Sequence, residues 1–333
     1  MTCGAYLMGV QFLHAQNLDF TGYVYGVADT GRLRSHIEFL TDSTCAGRGT
    51  GTKYMSKVTM WLNQRFKDIG LSPLGDSFIQ SFCIEDGPIG RNVIGMIPYS
   101  RSYSSTYTIV MAHYDGLGKI GDRYFPGADS NASGVAGLLA LAEMFTRMRT
   151  TGNYYEGNLL FVATDAKDYK MAGAEFLHRA IQNGYLKDPF SGKKIGMDQI
   201  SLVINLDQIG STLSPIDKRW PEYMLMLGND SLAGEYEHLI TKYNNRFGFN
   251  LDLCFSYYGS KNFTEAFYRR AGEHKFFLRD KVPAVMFTSG ITLKTNKVYD
   301  NLESLDLAVL RKRVLLIFKW METIIQTDQR NRN

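Results

Sequence analysis

The stretch Val110-Met-Ala-His-Tyr-Asp115, followed by Pro126-Gly-Ala-Asp-Ser-Asn-Ala-Ser-Gly134, decides the fold. The apolar run Thr108 to Ala112 predicts a buried strand whose carboxyl end presents His113 and Asp115. The glycine-bearing loop that follows contains Ser and Asn residues that predict the start of a helix. A strand end and a helix start that both present polar side chains are where α/β enzymes build sites. We therefore expect a functional site at this edge of a sheet.

Strands and helices alternate along the rest of the chain. Apolar runs predict strands near 92–97, 107–112, 159–164, 202–206, 224–227 and 283–288, and amphipathic segments predict helices near 53–69, 133–148, 173–183, 231–245, 262–271 and 307–326. This alternation predicts the α/β class, as a three-layer sandwich with a central, mostly parallel sheet between helices.

Further segments continue this pattern in a fixed order. They are Leu40–Gly51, Arg91–Gly95, Leu159–Asp165, Leu202–Gly210, Gly272–His274, Val282–Gly290 and Tyr299–Asp306. Together with the two opening segments, this order resembles the di-zinc aminopeptidase family, which includes glutaminyl cyclases and the transferrin-receptor ectodomain. The resemblance implies a single domain over residues 32–330, a mixed sheet of about eight strands and a site at the strand carboxyl ends.

The resemblance also assigns roles to single positions. It implies that His113, Asp168 and Asp207 occupy retained metal-ligand positions, with Asp168 in place of a longer Glu. Three other positions depart from the family pattern: Ser130 stands at the metal-bridging Asp, Asn296 at a late zinc-binding His, and Lys167 at the general-base Glu. Each residue by itself also has an ordinary structural interpretation, such as a hydrogen-bonded strand-end histidine or a carboxylate that caps a helix or pairs with a lysine.

The departures matter chemically. A paired zinc site needs a bridging carboxylate and a base that accepts a proton from water. A serine hydroxyl and an asparagine amide are poor zinc donors, and a lysine keeps its proton near neutral pH. The two remaining carboxylates and Lys167 sum to about −1, so two divalent zinc ions would leave about +3 in the pocket. The sequence predicts a degenerate site with no metal or one weakly held divalent ion, zinc by resemblance.

Four more polar residues are candidates for the pocket. Asp115 matches the family's partner of the histidine, and it is also compatible with a surface carboxylate. Asp129 precedes the bridge position and is a candidate replacement ligand. Glu273 and His274 form a candidate pair near the pocket or an ordinary helix start.

Composition excludes some functions. The chain has 333 residues, of which 44% are hydrophobic, and a formal net charge of +4. This excess is small and its basic residues are scattered, which argues against nucleic acid as a partner. The interior contains no apolar run long enough to predict a membrane span.

The first residues indicate a location. Residues 1–16 are apolar and end His-Ala-Gln, which predicts a signal peptide and an exported protein, periplasmic or secreted; residues 17–31 are predicted to form an irregular arm. The three cysteines that remain after such a cleavage allow one internal bridge at most. A disulfide between Cys45 and Cys83 stays open.

Two functions follow. The first is an aminopeptidase-family protein that is catalytically impaired or inactive and keeps its cleft for a peptide, a small amide-like ligand or another interaction. The alternative is an active, exported zinc-dependent aminopeptidase that uses an altered or single-metal site on His113, Asp168 and Asp207. The number of departures from the family pattern favours the first.

Overall fold

A central sheet organises the computed structural model, which describes residues 22–98, 106–152, 157–212, 222–257 and 259–326. Its strands are β1 (Ser72–Pro73), β2 (Ile79–Cys83), β3 (Ile89–Ile97), β4 (Tyr107–His113), β5 (Lys119–Ile120), β6 (Arg123–Tyr124), β7 (Asn158–Thr164), β8 (Ile200–Leu206), β9 (Tyr223–Leu227), β10 (Asp252–Cys254) and β11 (Ala284–Thr288). In the described residues the large sheet has nine strands in the order β1-β3-β7-β4-β8-β11-β9-β10, with β2 also paired to β3; β5 and β6 form a separate hairpin. The predicted α/β fold with a mixed sheet is confirmed.

Parallel pairing is confined to part of this sheet. Strands β7, β4, β8 and β11 are parallel to one another, and β10 is parallel to β9. The pairings of β3 with β1, β2 and β7, and of β9 with β11, are antiparallel. Parallel pairing thus occupies the centre of this mixed sheet and the β9–β10 edge, and antiparallel pairs join β3 and β9 to the centre. The parallel centre matters for the site because it places the carboxyl ends of four strands at one edge.

Helices cover both faces of the sheet. They are α1 (Thr30–Thr41), α2 (Lys53–Ile69), α3 (Ser133–Thr150), α4 (Ala172–Gln182), α5 (Leu239–Arg246), α6 (Lys261–Ala271), α7 (Lys275–Leu278) and α8 (Leu307–Ile324). In β4, Val110 and Ala112 belong to the larger hydrophobic core with α1, α2, α3 and α8, whereas Ile109 and Met111 belong to the core with α4 and α7. This alternation is expected of a strand that is buried on both faces.

Local sequence explains where several helices begin and end. Asp29 accepts the backbone N–H of Arg32 at the start of α1, and Thr52 accepts that of Met55 at the start of α2. Helix α2 ends at Gly70, whose φ of 87° lies in the left-handed region that glycine adopts without steric cost. These are the residue types that favour helix termini.

Two sequence predictions are wrong in detail. The helix predicted near 231–245 is reduced to 3-10 turns at Asn229–Ser231 and Gly234–Tyr236 followed by α5, because the Ala233-Gly234 pair interrupts the apolar period. Part of the irregular arm predicted over 17–31 is helical, since residues 22–25 and Gly26–Ala28 form turns of helix. They do so because Val24, Val27 and Ala28 are buried in the larger core.

The structure also bears on the disulfide between Cys45 and Cys83 and on membrane-spanning helices. Cys45, Cys83 and Cys254 are free thiols, so no bridge joins Cys45 to Cys83. Cys45 is buried and its thiol contacts the Phe39 carbonyl oxygen at 3.1 Å, whereas Cys83 is exposed at the end of β2. Of the helices that the structure describes, none has the length and apolar character needed to cross a membrane.

Candidate functional site

The candidate site lies at the carboxyl edge of the parallel strands. A small pocket of about 80 Å³ lies at the ends of β4, β7, β8 and β11 and at the loop before α3. It is lined by His113, Asp115, Gly116, Leu117, Ser130, Lys167, Asp168, Gln208 and Asn296. A larger pocket of about 380 Å³ adjoins it, and Lys167, Gln208 and Asn296 line both. The structure thus brings His113, Lys167, Asp168, Ser130 and Asn296 together, and Asp207 lines the larger pocket.

Lys167 is the cation at the centre of this site. Its Nζ forms an ion pair and hydrogen bond with Asp207 Oδ2, and its backbone N–H donates to Asp115 Oδ2 at 2.8 Å. The Lys167 side chain keeps 20% of its surface exposed, whereas that of Asp207 keeps 5%. Burial alone lowers the pKa of Lys167, but attraction to Asp207 and Glu273 outweighs it and raises the pKa above its usual value. Burial likewise raises the pKa of Asp207, yet the Lys167 ammonium holds it well below its usual range.

His113 lies between two carboxylates. Its Nδ1 is 3.5 Å from Asp115 Oδ1, and its Nε2 is 3.5 Å from Asp207 Oδ1. Burial and the Lys167 ammonium act to lower the pKa of His113, but the nearby carboxylates of Asp115 and Asp207 outweigh them and raise it to about 9. A histidine, a lysine and two aspartates thus form one compact set of opposite charges.

The remaining family positions lie at the surface of the pocket. Asp168 is exposed, and partial burial of its carboxyl together with the Asp115 charge raises its pKa. Asn296 is also exposed and has a φ of 60°, in the left-handed region that asparagine tolerates better than most residues. Ser130 follows Asp129 in a kinked loop, and its backbone N–H donates to Asp300 Oδ2 at 3.1 Å.

Asp129 has a structural role that is different from the one considered in the sequence. Its Oδ1 accepts the backbone N–H groups of Gly210 at 2.8 Å and Ser211 at 3.0 Å, and it is 3% exposed. Burial, reinforced by the Asp300 charge, raises the pKa of Asp129 to about 6. The carboxylate therefore ties the loop before α3 to the loop after β8, and it does not line either pocket described above.

A set of buried polar residues that sequence reasoning missed holds the same loops. We call Arg48, Asn131 and Asp300, with Asp129, the loop brace. Arg48 is fully buried and donates to the carbonyl oxygens of Tyr114, Leu40, Pro126 and Gly127 at 2.6–2.9 Å. Asn131 donates to Leu206 O at 2.9 Å and accepts from Gln208 N at 2.9 Å.

Glu273 and His274 lie behind the site. Both are fully buried, and Glu273 accepts hydrogen bonds from Thr164 Oγ1 at 2.8 Å to each carboxylate oxygen. Burial raises the pKa of Glu273. The His274 ring stacks on Tyr268 with ring centres 4.5 Å apart, and burial lowers its pKa to about 3. The pair supports the pocket from below and does not line it.

The donor set can be tested against two zinc ions. At the bridge the serine hydroxyl is a poor ligand, at the late position an amide replaces imidazole, and the ammonium of Lys167 takes Asp207 Oδ2 as its partner. Among the described residues, no three His, Cys, Asp or Glu side chains come together in a group able to hold a metal ion. The residues present therefore do not fit a two-zinc centre.

The geometry and a comparison of sequences agree on the family. The model of peptidase family M28 matches residues 92–321, which span β4, β7, β8, β11 and the loops that build the site. The chain belongs to peptidase family M28. Its resemblance to the di-zinc aminopeptidases is thereby confirmed, and the M28 match includes every candidate site residue from His113 to Asn296.

Curated relatives are similar to shorter parts of this chain. The BOS complex subunit NCLN of Gallus gallus is 33% identical over 105 residues, 31% of this chain and 17% of that protein; the zebrafish (Danio rerio) subunit is 32% identical over 136 residues, 40% of this chain and 22% of that protein. The matched segment thus spans about a fifth of these relatives.

Solved structures share the fold. The LapA aminopeptidase of Legionella pneumophila has a TM-score of 0.66 at 14% identity, over 93% of this chain and 75% of that one. A zinc aminopeptidase of Bacillus subtilis has a TM-score of 0.65 at 11% identity, over 91% of this chain and 96% of that one. The glutaminyl cyclase of Porphyromonas gingivalis has a TM-score of 0.63 at 16% identity, over 88% and 97%. At these identities the likeness concerns the fold alone.

Proposed function

We propose that this M28 protein is non-catalytic and that its cleft serves as a binding surface. One observation carries the proposal: the Lys167 ammonium pairs with Asp207 at the centre of the site. A protonated lysine there supplies a fixed positive charge among buried carboxylates, a need that a metal ion would otherwise meet. The fold is then stable without metal at this position.

The same lysine opposes hydrolysis. A general base must accept a proton from the attacking water, and its pKa should lie near the working pH. Lys167 holds its proton because Asp207 and Glu273 stabilise the charged form. Asp168 is one position away, but it is exposed and its backbone belongs to the turn after β7. At the position of the family's base, the pocket therefore presents a protonated lysine.

The larger pocket supports the binding half of the proposal. Apolar side chains form part of its wall. They belong to Phe267, Ala271, Met286 and Ile291. The rest of the wall is polar or charged and includes Lys167, Asp207, Gln208, Thr288, Thr295, Asn296 and Lys297. The loop beside it, residues 290–299, exposes four apolar side chains: Ile291, Leu293, Val298 and Tyr299. A pocket with an apolar wall and polar groups, next to an exposed apolar loop, favours a peptide segment of a partner protein as the occupant. The relatives named as subunits of the BOS complex support such an assembly role.

We also propose that the protein is exported and that residues 1–16 are removed. The apolar segment Tyr6–Leu13 and the His-Ala-Gln that follows support this. Amino-terminal sequencing of protein from its native host is expected to begin at or near Asn17. Recovery of an intact Met1 or Thr2 would contradict export by this route.

Metal content tests the proposal most directly. Protein purified in the presence of zinc and dialysed against a mild chelator should retain well below the two ions of a paired site. A variant with all four departures reversed, S130D/K167E/D168E/N296H, should retain more zinc. The matched control S130D/D168E/N296H keeps Lys167, and we expect it to remain close to the unmodified protein because the ammonium still occupies Asp207.

Activity separates the two functions. The unmodified protein should release no chromophore from aminoacyl substrates above background, with or without added zinc. Lys167→Glu alone should not restore turnover, because Ser130 and Asn296 still provide poor ligands. Chelator-sensitive cleavage by the unmodified protein would favour the alternative, an active enzyme with an altered or single-metal site.

A further inference from the structure

Three places in the chain carry the sequence Asn-x-Ser/Thr, in which the middle residue is not proline. They are Asn131-Ala-Ser133, Asn229-Asp-Ser231 and Asn262-Phe-Thr264. In a protein that enters the secretory lumen this pattern is an acceptor for an N-linked oligosaccharide, which is bulky and requires a surface position. The sequence alone does not rank the three, but the structure separates them clearly.

Asn131 is excluded by its hydrogen bonds. It is fully buried in the loop brace, and its Nδ2 donates to Leu206 O at 2.9 Å and to His113 O at 3.3 Å. Its Oδ1 accepts from Gln208 N and Gly134 N. A sugar on Nδ2 would replace one of these donors and would have no room, so a glycan at Asn131 is incompatible with the fold.

Asn229 is excluded by its position. It begins a 3-10 turn directly after β9 and is 9% exposed. Two residues later, the Ser231 hydroxyl donates to Ala284 O of β11 at 3.0 Å, which fixes this turn against the sheet. A large polar substituent would have to displace this packing.

Asn262 has the opposite surroundings. It is exposed in the first turn of α6, which Ser260 caps by accepting from Phe263 N. Its neighbours Lys261 and Phe263 are exposed as well. The third residue of the pattern, Thr264, is held by hydrogen bonds to Ser260 O and from Tyr257 N, both at 2.7 Å, so the acceptor pattern lies on an ordered segment.

We propose that Asn262 is the N-glycosylation site of this protein and that Asn131 and Asn229 carry no glycan. In the transfer step, Asn262 Nδ2 forms a bond to the anomeric carbon of an oligosaccharide and loses one proton. The bond from that carbon to the phosphate oxygen of a lipid-pyrophosphate donor breaks, and the pyrophosphate leaves with the electron pair. The proposal rests on the proposed export, because this donor is used in the secretory lumen.

The position also bears on the cleft. Phe267 and Ala271 of α6 line the larger pocket. At about 100° per residue, Asn262 lies roughly 140° from Phe267 and roughly 180° from Ala271 around the helix. A glycan on Asn262 therefore covers the outer side of α6 and leaves the pocket open to a ligand.

The experiment expresses the full chain in a eukaryotic secretory cell in two forms: with its own first residues, and with a proven signal peptide placed before Asn17. Glycopeptide mass spectrometry and an enzymatic deglycosylation shift are the measurements. With the proven signal, we expect one glycan, at Asn262. Asn262→Gln should abolish the shift, and Thr264→Ser, which keeps both the acceptor pattern and the hydroxyl, should retain it.

The two forms separate the two proposals. Absence of a glycan on folded protein that carries the proven signal, or a glycan on Asn131 or Asn229, would overturn the site. A glycan at Asn262 with the proven signal but not with the native first residues would uphold the site and contradict export by residues 1–16.

Discussion

The loop brace and the Lys167 cluster, which comprises His113, Asp115, Lys167 and Asp207, meet at the same strand ends, but they are bonded in different ways. Arg48 of the brace meets four carbonyl oxygens, and Asp129, Asn131 and Asp300 bond backbone groups of three loops. In the cluster, His113 Nε2, Asp115 Oδ1 and Asp207 Oδ1 have no hydrogen-bond partner in good geometry within the described residues. The brace is held by directed hydrogen bonds, whereas the cluster is held mainly by opposite charge.

This difference shows how an M28 site can change without loss of the fold. The brace fixes the backbone of the loop before α3, so that residue 130 faces the pocket whichever side chain it carries. The cluster decides only the chemistry, and a lysine there balances the carboxylates. Shape and chemistry are thus supported by separate residues, and variants in each set should have different consequences.

The largest loss of stability is expected from Arg48→Met in the brace. The substitution leaves four buried carbonyl oxygens without their donor, and each such loss costs about 1–3 kcal/mol. Some of these carbonyl oxygens will accept a hydrogen bond from water instead, which reduces the total. We therefore expect a loss of about 3–5 kcal/mol in the free energy of unfolding, measured by urea denaturation.

The matched control is Arg34→Met, whose ion pair with Glu38 is half exposed. It should change stability by less than about 0.5 kcal/mol. If Arg48→Met and Arg34→Met lowered the free energy of unfolding by equally small amounts, the loop brace would not hold the loops. The contrast between the brace and the Lys167 cluster would then be wrong.

A smaller loss is expected from Lys167→Met in the cluster. Removing the ammonium takes the ion-pair partner from Asp207, but His113 Nε2 remains 3.5 Å from that carboxylate and the site is close enough to solvent for partial screening. We expect a loss of about 2–3 kcal/mol at neutral pH, below the 3–5 kcal/mol that is usual for a fully buried pair. Lys170→Met, at an exposed position in the same turn, is the control and should be nearly neutral. A neutral Lys167→Met would remove the basis for the lysine as a substitute cation.

The sequence predicted the cluster better than the brace. Strand ends are local features, so apolar runs located His113 and Asp207, and the resemblance located Lys167, Ser130 and Asn296 beside them. The brace depends on contacts between distant positions: Asp300 bonds the backbone of Asp129 across 171 residues, and Arg48 reaches Gly127 across 79. The spacing of apolar residues along the sequence does not predict contacts between such distant positions.

The direction of individual side chains also could not be predicted from the sequence. Asp129 precedes Ser130 in the chain, yet its carboxylate accepts from Gly210 and Ser211 and lies outside the pocket. Consecutive residues in a kinked loop point in different directions, so nearness in sequence did not predict nearness to the site. In the helix predicted at 231–245, the first half is likewise different: Leu232 is buried at the end of a 3-10 turn and not on a helix face.

A pH-dependent effect on stability, intermediate in size, is expected from His274, which lies behind the Lys167 cluster. Burial lowers the pKa of His274 from 6.5 to about 3, so between these values the unfolded chain binds a proton that the folded chain does not. The contribution of His274 to the free energy of unfolding should therefore fall as pH decreases from 6.5 toward 3. His274→Phe keeps a ring beside Tyr268 and removes this uptake, so its stability should fall less between pH 7 and pH 5, by on the order of 1–2 kcal/mol. Parallel pH profiles for the two proteins would contradict the assignment.

The smallest effect on stability is expected at the exposed loop beside the larger pocket. Leu293 is 90% exposed, so Leu293→Ser removes no packing and should change the free energy of unfolding by less than about 0.5 kcal/mol. Leu310→Ala, in the fully buried face of α8, is the contrasting control and should cost about 2–5 kcal/mol. A leucine that contributes nothing to folding but remains in water beside three other exposed apolar side chains is what a docking surface requires. If Leu293→Ser instead destabilised the protein by more than about 1 kcal/mol, the loop would belong to the core, and a free binding rim would have to be sought elsewhere on the cleft.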